Sequence, residues 1–321
     1  MKTYTRELST RLPAVAPDLR FVPLQRSTNF GVEEQIRLPG RIRAAHPDLT
    51  HFMSVYAPFF AQRPYLVTIH DLIHLRFPAF FRSKVAPYYR SVVRYVARRA
   101  ARVITDDERT VGDLERFLGV DPRRVRVIAL GVSDMYLREH VRYVAERPYF
   151  LYVGNHLAHK NLGTLLTAWR ALATELNADL YITGDNDLAI STVDGRDGHG
   201  LRFLGAVSAG RLASLYKGAV ALVQPSLCEG FGLPILESMA VGSCVIASRA
   251  ACPAVLADAA LCFSPDDPRQ LTALMKRVLM DEGLRAALVN EGRRIAESLT
   301  WERCALATAA AYREVLEGRS L

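Results

Sequence analysis

Val220-Ala-Leu-Val-Gln224 runs directly into Pro225-Ser-Leu-Cys-Glu-Gly-Phe-Gly-Leu-Pro-Ile-Leu-Glu237. The first five residues are an apolar run of strand length. Gly230 and Gly232 then flank Phe231 in a turn, and Pro234 suits the first turn of a helix. The stretch therefore reads as strand, glycine loop, helix. The same unit recurs on both sides of it. Short apolar runs stand at Phe150-Leu-Tyr-Val-Gly154, Asp179-Leu-Tyr-Ile-Thr-Gly184, Arg202-Phe-Leu-Gly205, Cys244-Val-Ile-Ala247 and Ala260-Leu-Cys-Phe263. Amphipathic stretches at 161–175, 209–217, 233–241 and 268–280 stand between most of them. Strand–helix alternation at this spacing predicts a parallel sheet with helices on both faces.

The first half repeats the pattern less cleanly. Pro64-Tyr-Leu-Val-Thr-Ile-His70 reads as a strand and 82–99 as a long helix. Arg102-Val-Ile-Thr105 follows as a strand, then a helix near 108–118 and the strand Arg124-Val-Arg-Val-Ile128. The stretch 131–148 is polar and aperiodic, which marks it as a linker. At roughly 150 residues per domain, 321 residues make about two. The expected division is a first doubly wound domain over 1–140 and a second over 141–299. A last helix over 300–321 is expected to cross back to the first. Two such α/β domains face each other across a cleft, and ligands bind beyond the carboxyl ends of parallel strands.

Composition narrows the class. Half of the residues are apolar and 23% are charged, which excludes a disordered or collagen-like chain. No apolar run approaches the roughly 18 residues of a membrane-spanning helix, and residues 1–12 lack the apolar core of a secretory signal. Five cysteines without a CxxC spacing read as buried thiols in a reducing compartment, hence a cytoplasmic protein. The net charge of +8 favours anionic partners: nucleic acid, anionic lipid or phosphorylated small molecules. Arg90, Arg94, Arg98 and Arg102 recur every fourth residue beside Val92, Val93 and Val96. Two readings of this face stand side by side, a surface resting on an anionic membrane and an ordinary solvated helix. No aromatic platform or reading helix accompanies the arginines, so nucleic acid is not expected.

The loop after Gln224 is the richest in chemistry. A glycine loop opening a helix presents free N–H groups and the positive end of the helix dipole, which suits phosphate. Glu229 and Glu237 beside it offer hydrogen-bond acceptors for hydroxyls of a sugar or ribose. A plain Gly-Pro turn with solvated glutamates fits the same residues. Asp185-Asn-Asp187 has the spacing of a metal-binding DxD but reads as an Asx-rich turn. His156 and His159 lack a third ligand nearby, so no metal is expected. Neither a P-loop nor a GxGxxG is present, which argues against an NTPase or a dehydrogenase.

These residues resemble a known family. Glu229-Gly-Phe-Gly-Leu-Pro-Ile-Leu-Glu237 is similar to the donor-site signature of the retaining glycosyltransferase family 4, which has the GT-B fold. Tyr152-Val-Gly-Asn-His-Leu-Ala-His-Lys-Asn161, Leu201-Arg-Phe-Leu-Gly205, Gly242 to Ser248 with Pro253 and Asp258-Ala-Ala260, and Trp301-Glu-Arg also resemble its segments. Val67-Thr-Ile-His-Asp-Leu-Ile73 with Leu75-Arg-Phe-Pro78 resembles a segment common in its mannosyltransferases. The segments occur in the family's order over most of the chain.

The resemblance implies transfer of a sugar from a nucleotide diphosphate sugar to a glycan or lipid-linked acceptor, with retention of configuration. It implies no metal and no resident cofactor. Mannose from GDP-mannose in surface polysaccharide or lipopolysaccharide assembly is the donor and setting it favours. It places Glu237 on the ribose and Glu229 on the sugar hydroxyls. Gly230, Phe231, Gly232 and Leu233 fall beside the sugar and diphosphate. Gly154, Asn155 and Lys160 fall near the diphosphate, with Lys160 offsetting the charge of the leaving group. His70, at a first-domain strand end, would reach the donor sugar across the cleft. The catalytic set implied is therefore His70, Lys160 and Glu229.

Departures keep a second reading open. Met1-Lys-Thr-Tyr-Thr-Arg-Glu-Leu8 resembles the family's first helix, so the strand and glycine turn before it are expected to be absent. Asn155 stands where many members have Arg, Ala254 where Glu is usual, and Asp107 where Ser is usual. The alternative is a GT-B-fold binding or scaffold protein that has lost catalysis.

Overall fold

The computed structural model describes residues 2–24, 32–173, 175, 177–184 and 200–318. The chain divides into two compact units, Met1–Gly131 with Thr300–Leu321, and Val132–Leu299.

The first unit is built on four parallel strands in the order β1 (Thr50–Phe52), β2 (Tyr65–Thr68), β3 (Arg102–Thr105) and β4 (Val125–Val127). Strands β2 and β3 are buried along their whole length, the continuous burial expected of parallel strands covered on both faces. β1 is three residues long, too short to show a period, and the sequence reading places no strand there. Two helices, Lys2–Val15 and Val32–Ala45, precede it. The helix Lys2–Val15 packs along the last helix, Trp301–Leu316. Ala305, Thr308 and Ala309 are fully buried on the latter, and their small size permits close approach.

Residues 85–99 form a helical run interrupted by a π turn at Tyr89–Val93. Val93, Val96 and Ala97 point into the core, and Arg90, Arg94 and Arg98 are exposed. Arg102 leaves the row that the four-residue spacing suggests. It begins β3, is buried, and its Nε lies 3.3 Å from Glu314. The helix has ended by Ala100, so the strand's own alternation sets where Arg102 points.

The second unit holds six parallel strands: β5 (Tyr149–Tyr152), β6 (Asp179–Thr183), β7 (Leu201–Gly205), β8 (Ala221–Gln224), β9 (Cys244–Ser248) and β10 (Leu261–Phe263). Their spatial order is β10-β9-β8-β5-β6-β7. The chain builds outward from β5 through β6 and β7, then returns to β5's other side for β8. The sheet's switch point therefore lies between β5 and β8, where open parallel sheets bind ligands. Phe150, Ile182, Ala221, Val223 and Ile246 join Leu165, Trp169, Leu271 and Met275 of flanking helices in the core.

The expected linker at 131–148 is partly structured. Asp134–Leu137 is a short helix, Val132 N–H donates to the Leu299 carbonyl, and Tyr136 is buried near Tyr216. Residues 132–140, expected in the first domain, thus belong to the second unit, because the Tyr136 side chain finds its core there. Cys228, Cys244, Cys252 and Cys304 are buried and all five cysteines are free thiols. Among the described residues no helix is long and apolar enough to cross a membrane.

Candidate active site

In the second unit, the loops after β5 and β8 are tied together at the switch point. Leu227 N–H donates to the His159 carbonyl at 2.8 Å. Asn161, held in the left-handed region at φ 56°, donates from Nδ2 to the carbonyls of Pro225 (3.0 Å) and Pro265 (2.7 Å). Asparagine tolerates that backbone because its short side chain can bond locally. The Ser248 hydroxyl, at the end of β9, donates to the Ser226 carbonyl.

This bracing brings Lys160 and Glu229 together although 69 positions separate them. Lys160 Nζ lies 2.7 and 2.8 Å from the two Glu229 carboxylate oxygens. Their side chains are 15% and 10% exposed, so the pair is largely out of water. Ser226 Oγ (2.6 Å) and Gln224 Nε2 (3.1 Å) also donate to Glu229 Oε1. Burial alone would raise the Glu229 carboxyl, but the Lys160 charge and the hydrogen bonds from Lys160, Ser226 and Gln224 outweigh it and hold it below its ordinary value. Gln224 and Ser226 are contacts the sequence reading does not name; their place at the end of a strand is the signal that could have found them.

The helix Leu233–Val241 starts from Gly232, at φ 71°, with Pro234 in its first turn and no side chain capping it. A Cβ at Gly232 would sit 3.2 Å from the Ala251 carbonyl oxygen. Phe231 is buried and serves as the anchor of the loop, while Gly230 and Leu233 are partly exposed. The uncapped start leaves helix amides for water or an anion.

Glu237, one turn inside, receives a hydrogen bond from the Tyr216 hydroxyl at 3.2 Å and another from Tyr136. Burial pushes its carboxyl up to about 7, although the two tyrosines work against the rise. Both tyrosines escape sequence reading because their partner is distant in the chain.

On the β5 side, Gly154 and the exposed Asn155 follow the strand, and the Tyr152 hydroxyl donates to the Asn155 carbonyl at 2.6 Å. Gly184 is required here, since a Cβ on it would collide with the Gly154 carbonyl oxygen. His156 is buried and bonds the Thr183 carbonyl at 3.2 Å. Asp185-Asn-Asp187 lies outside the described residues. Among the described residues no group of three His, Cys, Asp or Glu could hold a metal ion.

In the first unit, His70 stands two residues beyond β2 and Asp106 one residue beyond β3. The register pairs Thr68 with Ile104, so both lie two positions past paired residues, and His70 Nδ1 meets Asp106 Oδ2 at 2.6 Å. The Tyr4 ring packs against the His70 ring edge-to-face at 4.7 Å. Burial opposes the charged imidazole, but Asp106, by its charge and its hydrogen bond, outweighs that and raises His70 above the ordinary histidine value. Asp107, singled out as a departure, caps the helix Glu108–Asp113 through the Arg109 N–H.

Two parallel-sheet units of this kind, with a polar cluster at the second sheet's switch point, define a GT-B glycosyltransferase fold. The solved structure of Anabaena HepE in complex with UDP-glucose shares it, with a TM-score of 0.69 at 18% identity, over 92% of this chain and 86% of that one. The chain belongs to glycosyltransferase family 4. The family pattern described as "Glycosyltransferase Family 4" matches residues 3–136, and that described as "Glycosyl transferases group 1" matches 147–281. Among curated relatives, the O-antigen chain mannosyltransferase B of Escherichia coli is 28% identical over 82% of this chain and 73% of its own. The O-antigen chain mannosyltransferase RfbU of Salmonella typhimurium is 30% identical over 66% of this chain and 60% of its own.

Proposed function

We propose that this protein transfers mannose from GDP-mannose to a glycan or lipid-linked acceptor in surface polysaccharide assembly, retaining the anomeric configuration and using no metal or resident cofactor. The observation that carries the reading is the Lys160–Glu229 pair at the switch point, beside the uncapped helix at Gly232. A cation and helix amides together match a diphosphate, and a buried carboxylate beside them matches sugar hydroxyls. The names of the two O-antigen mannosyltransferases support the sugar and the setting.

On this reading Lys160 and the amides at Gly230 to Leu233 take the charge that grows on the departing diphosphate. Glu237 holds the ribose hydroxyls, with Gly154 and Asn155 lining the diphosphate. No side chain is asked to form a covalent intermediate; positioning and electrostatics carry the rate. The exposed Arg90, Arg94 and Arg98 offer a basic face to an anionic membrane on which a lipid-linked acceptor would sit.

Thermal-shift binding against GDP-, UDP-, ADP- and dTDP-sugars without added metal tests the donor. Ligand at about 100 times its Kd adds about 2.7 kcal/mol, enough to raise Tm by several degrees. GDP-mannose is expected to give the rise, and NMR of the product is expected to show the donor's anomeric configuration. A folded protein that responds to none of the four supports the scaffold alternative instead.

A further inference from the structure

The His70–Asp106 pair has a property that the implied role of His70 does not cover. Nδ1 is taken by Asp106 at 2.6 Å, while Nε2 lies out of water with no hydrogen-bond partner among the described residues, and so does Asp106 Oδ1. Buried polar atoms without partners are rare and call for an explanation, such as an absent ligand. Tyr4, Thr68 and His51 beside the pair are otherwise engaged. The Tyr4 hydroxyl bonds Thr68 Oγ1 at 3.0 Å, and His51 bonds Thr68 through Nε2 (2.7 Å) and Tyr312 through Nδ1 (2.6 Å). None of these three side chains bonds His70 Nε2.

We propose that Asp106 is a positioning residue: it accepts the hydrogen bond from His70 Nδ1–H, fixes the ring, and leaves Nε2 as the nitrogen that donates a hydrogen bond to an oxygen of the bound donor sugar or its phosphate. This rests on the reading that His70 meets the donor. The parallel register sets the two residues level with each other just past the strand ends. A carboxylate accepting from a ring N–H at this distance forms a charge-assisted bond, stronger than a neutral one. It favours the doubly protonated ring, in which Nε2 carries a proton and donates. Asp106 from β3's end and Asp71 from its own loop favour the ring's charge, and the amino-terminal charge opposes it; the Tyr4 ring of the first helix packs against the imidazole, the His70 charge in turn lowers His51 of β1, and Asp106 raises the Cys304 thiol of the last helix. Of these, Asp106 contributes most to offsetting the cost of burial, and Asp71 adds to it.

The test uses the full chain labelled with ¹⁵N-histidine, with His70 assigned by its loss in His70→Gln. In the wild type, NMR is expected to show His70 protonated on Nδ1 and titrating above an ordinary histidine. Asp106→Asn is expected to weaken its proton affinity tenfold or more, and Asp106→Glu to restore part of it. His70 titrating identically with and without the Asp106 carboxylate overturns the proposal. Should Asp106→Asn not fold, the wild-type spectrum decides: a His70 unprotonated on Nδ1, or titrating below the ordinary value, overturns it as well. GDP-mannose affinity in the wild type is expected to fall as pH rises through the His70 titration, and to fall at lower pH in Asp106→Asn. A normal His70 response to Asp106 with no binding of any nucleotide sugar upholds the positioning role and sinks the donor reading. Donor binding whose pH profile ignores Asp106 sinks the ligand half of the proposal and spares the donor reading.

Discussion

Replacing Lys160 by Met keeps the aliphatic stem and removes one charge from the largely buried pair with Glu229. Opposite charges 4 Å apart attract by about 4 kcal/mol at an effective dielectric near 20, and Nζ lies closer than that, at 2.7 Å. Ser226 and Gln224 remain as donors, each hydrogen bond to a charged group being worth about 1.5–3 kcal/mol. They soften the loss without cancelling it. Breaking a buried pair from one side costs about 3–5 kcal/mol, and the two remaining donors place the expected loss near the lower end, about 3 kcal/mol at pH 8. The pH dependence is more diagnostic. In the wild type the Glu229 carboxyl lies below its ordinary value, so its stabilisation is present above that value and is lost as pH falls through the depressed one. Without Lys160, burial dominates and the carboxyl moves above its ordinary value. The variant then loses stability as pH rises, and its gap from the wild type narrows steadily toward low pH. Urea denaturation at pH 5 and pH 8 measures both effects. Adding Glu229→Gln removes the stranded charge and is expected to recover much of the stability at pH 8, but not donor affinity, because the cation is still missing. A loss under 1 kcal/mol at pH 8, or no recovery in the double variant, would show that the pair is not held as described.

Two further outcomes follow from buried titrating groups. Glu237, raised from 4.5 to about 7, favours the folded state while neutral and loses that contribution as pH rises through 7; Glu237→Gln should therefore gain up to about 3 kcal/mol relative to the wild type between pH 4 and 8, while weakening nucleotide binding. Equal pH slopes for the two proteins in denaturant titrations would refute this. His51 is held down to about 3 by burial and then by the His70 charge, so the unfolded chain binds its proton first and stability falls as pH drops below about 6.5. From pH 7 to pH 5 the wild type should lose up to about 2 kcal/mol more than His51→Gln, an upper bound because the residue keeps some exposure; His70 shifts in the opposite sense and cancels between the two proteins, and a common slope would count against the buried network.

Most of the second unit is legible in the sequence because each strand, loop and helix declares itself locally. The run Val220 to Gln224 with the helix Leu233–Val241 needs nothing from elsewhere in the chain. What local pattern cannot supply is neighbour order. Nothing in residues 152–161 says that β8, rather than β6 alone, lies beside β5, so the contact between Lys160 and Glu229 is visible only once the sheet is assembled. Tyr136 and Asp106 escape for the same reason. Tyr136 sits in a polar, aperiodic stretch that reads as linker, yet its ring finds a core and its hydroxyl a carboxylate. Asp106 is one of two adjacent aspartates. Asp107 draws attention as a departure from the family pattern, but it caps a helix, while its neighbour meets His70. The basic row fails differently: a spacing of four is carried past Ala100, where the helix ends, and so assigns Arg102 to a face it does not occupy.

On the proposed function, the Lys160–Glu229 bond also bears on how the donor site stays folded in the free protein. An ammonium placed for a diphosphate is a cation in a low-dielectric loop, and without a counter-charge its burial would oppose folding. Glu229 supplies the counter-charge in the free protein, and Ser226 and Gln224 add two further donors at its Oε1. On the proposed function, an arriving diphosphate takes over the lysine and the freed carboxylate oxygens turn to sugar hydroxyls, so one exchange of partners serves both groups. Binding then replaces one charge pair with another instead of creating a new one. Its net gain must come from the helix amides at Gly232 and from Glu237, neither of which has a partner to surrender of comparable strength. Substitutions at Glu237 should accordingly weaken the donor more than those at Ser226, although Ser226 makes the shorter hydrogen bond in the free protein.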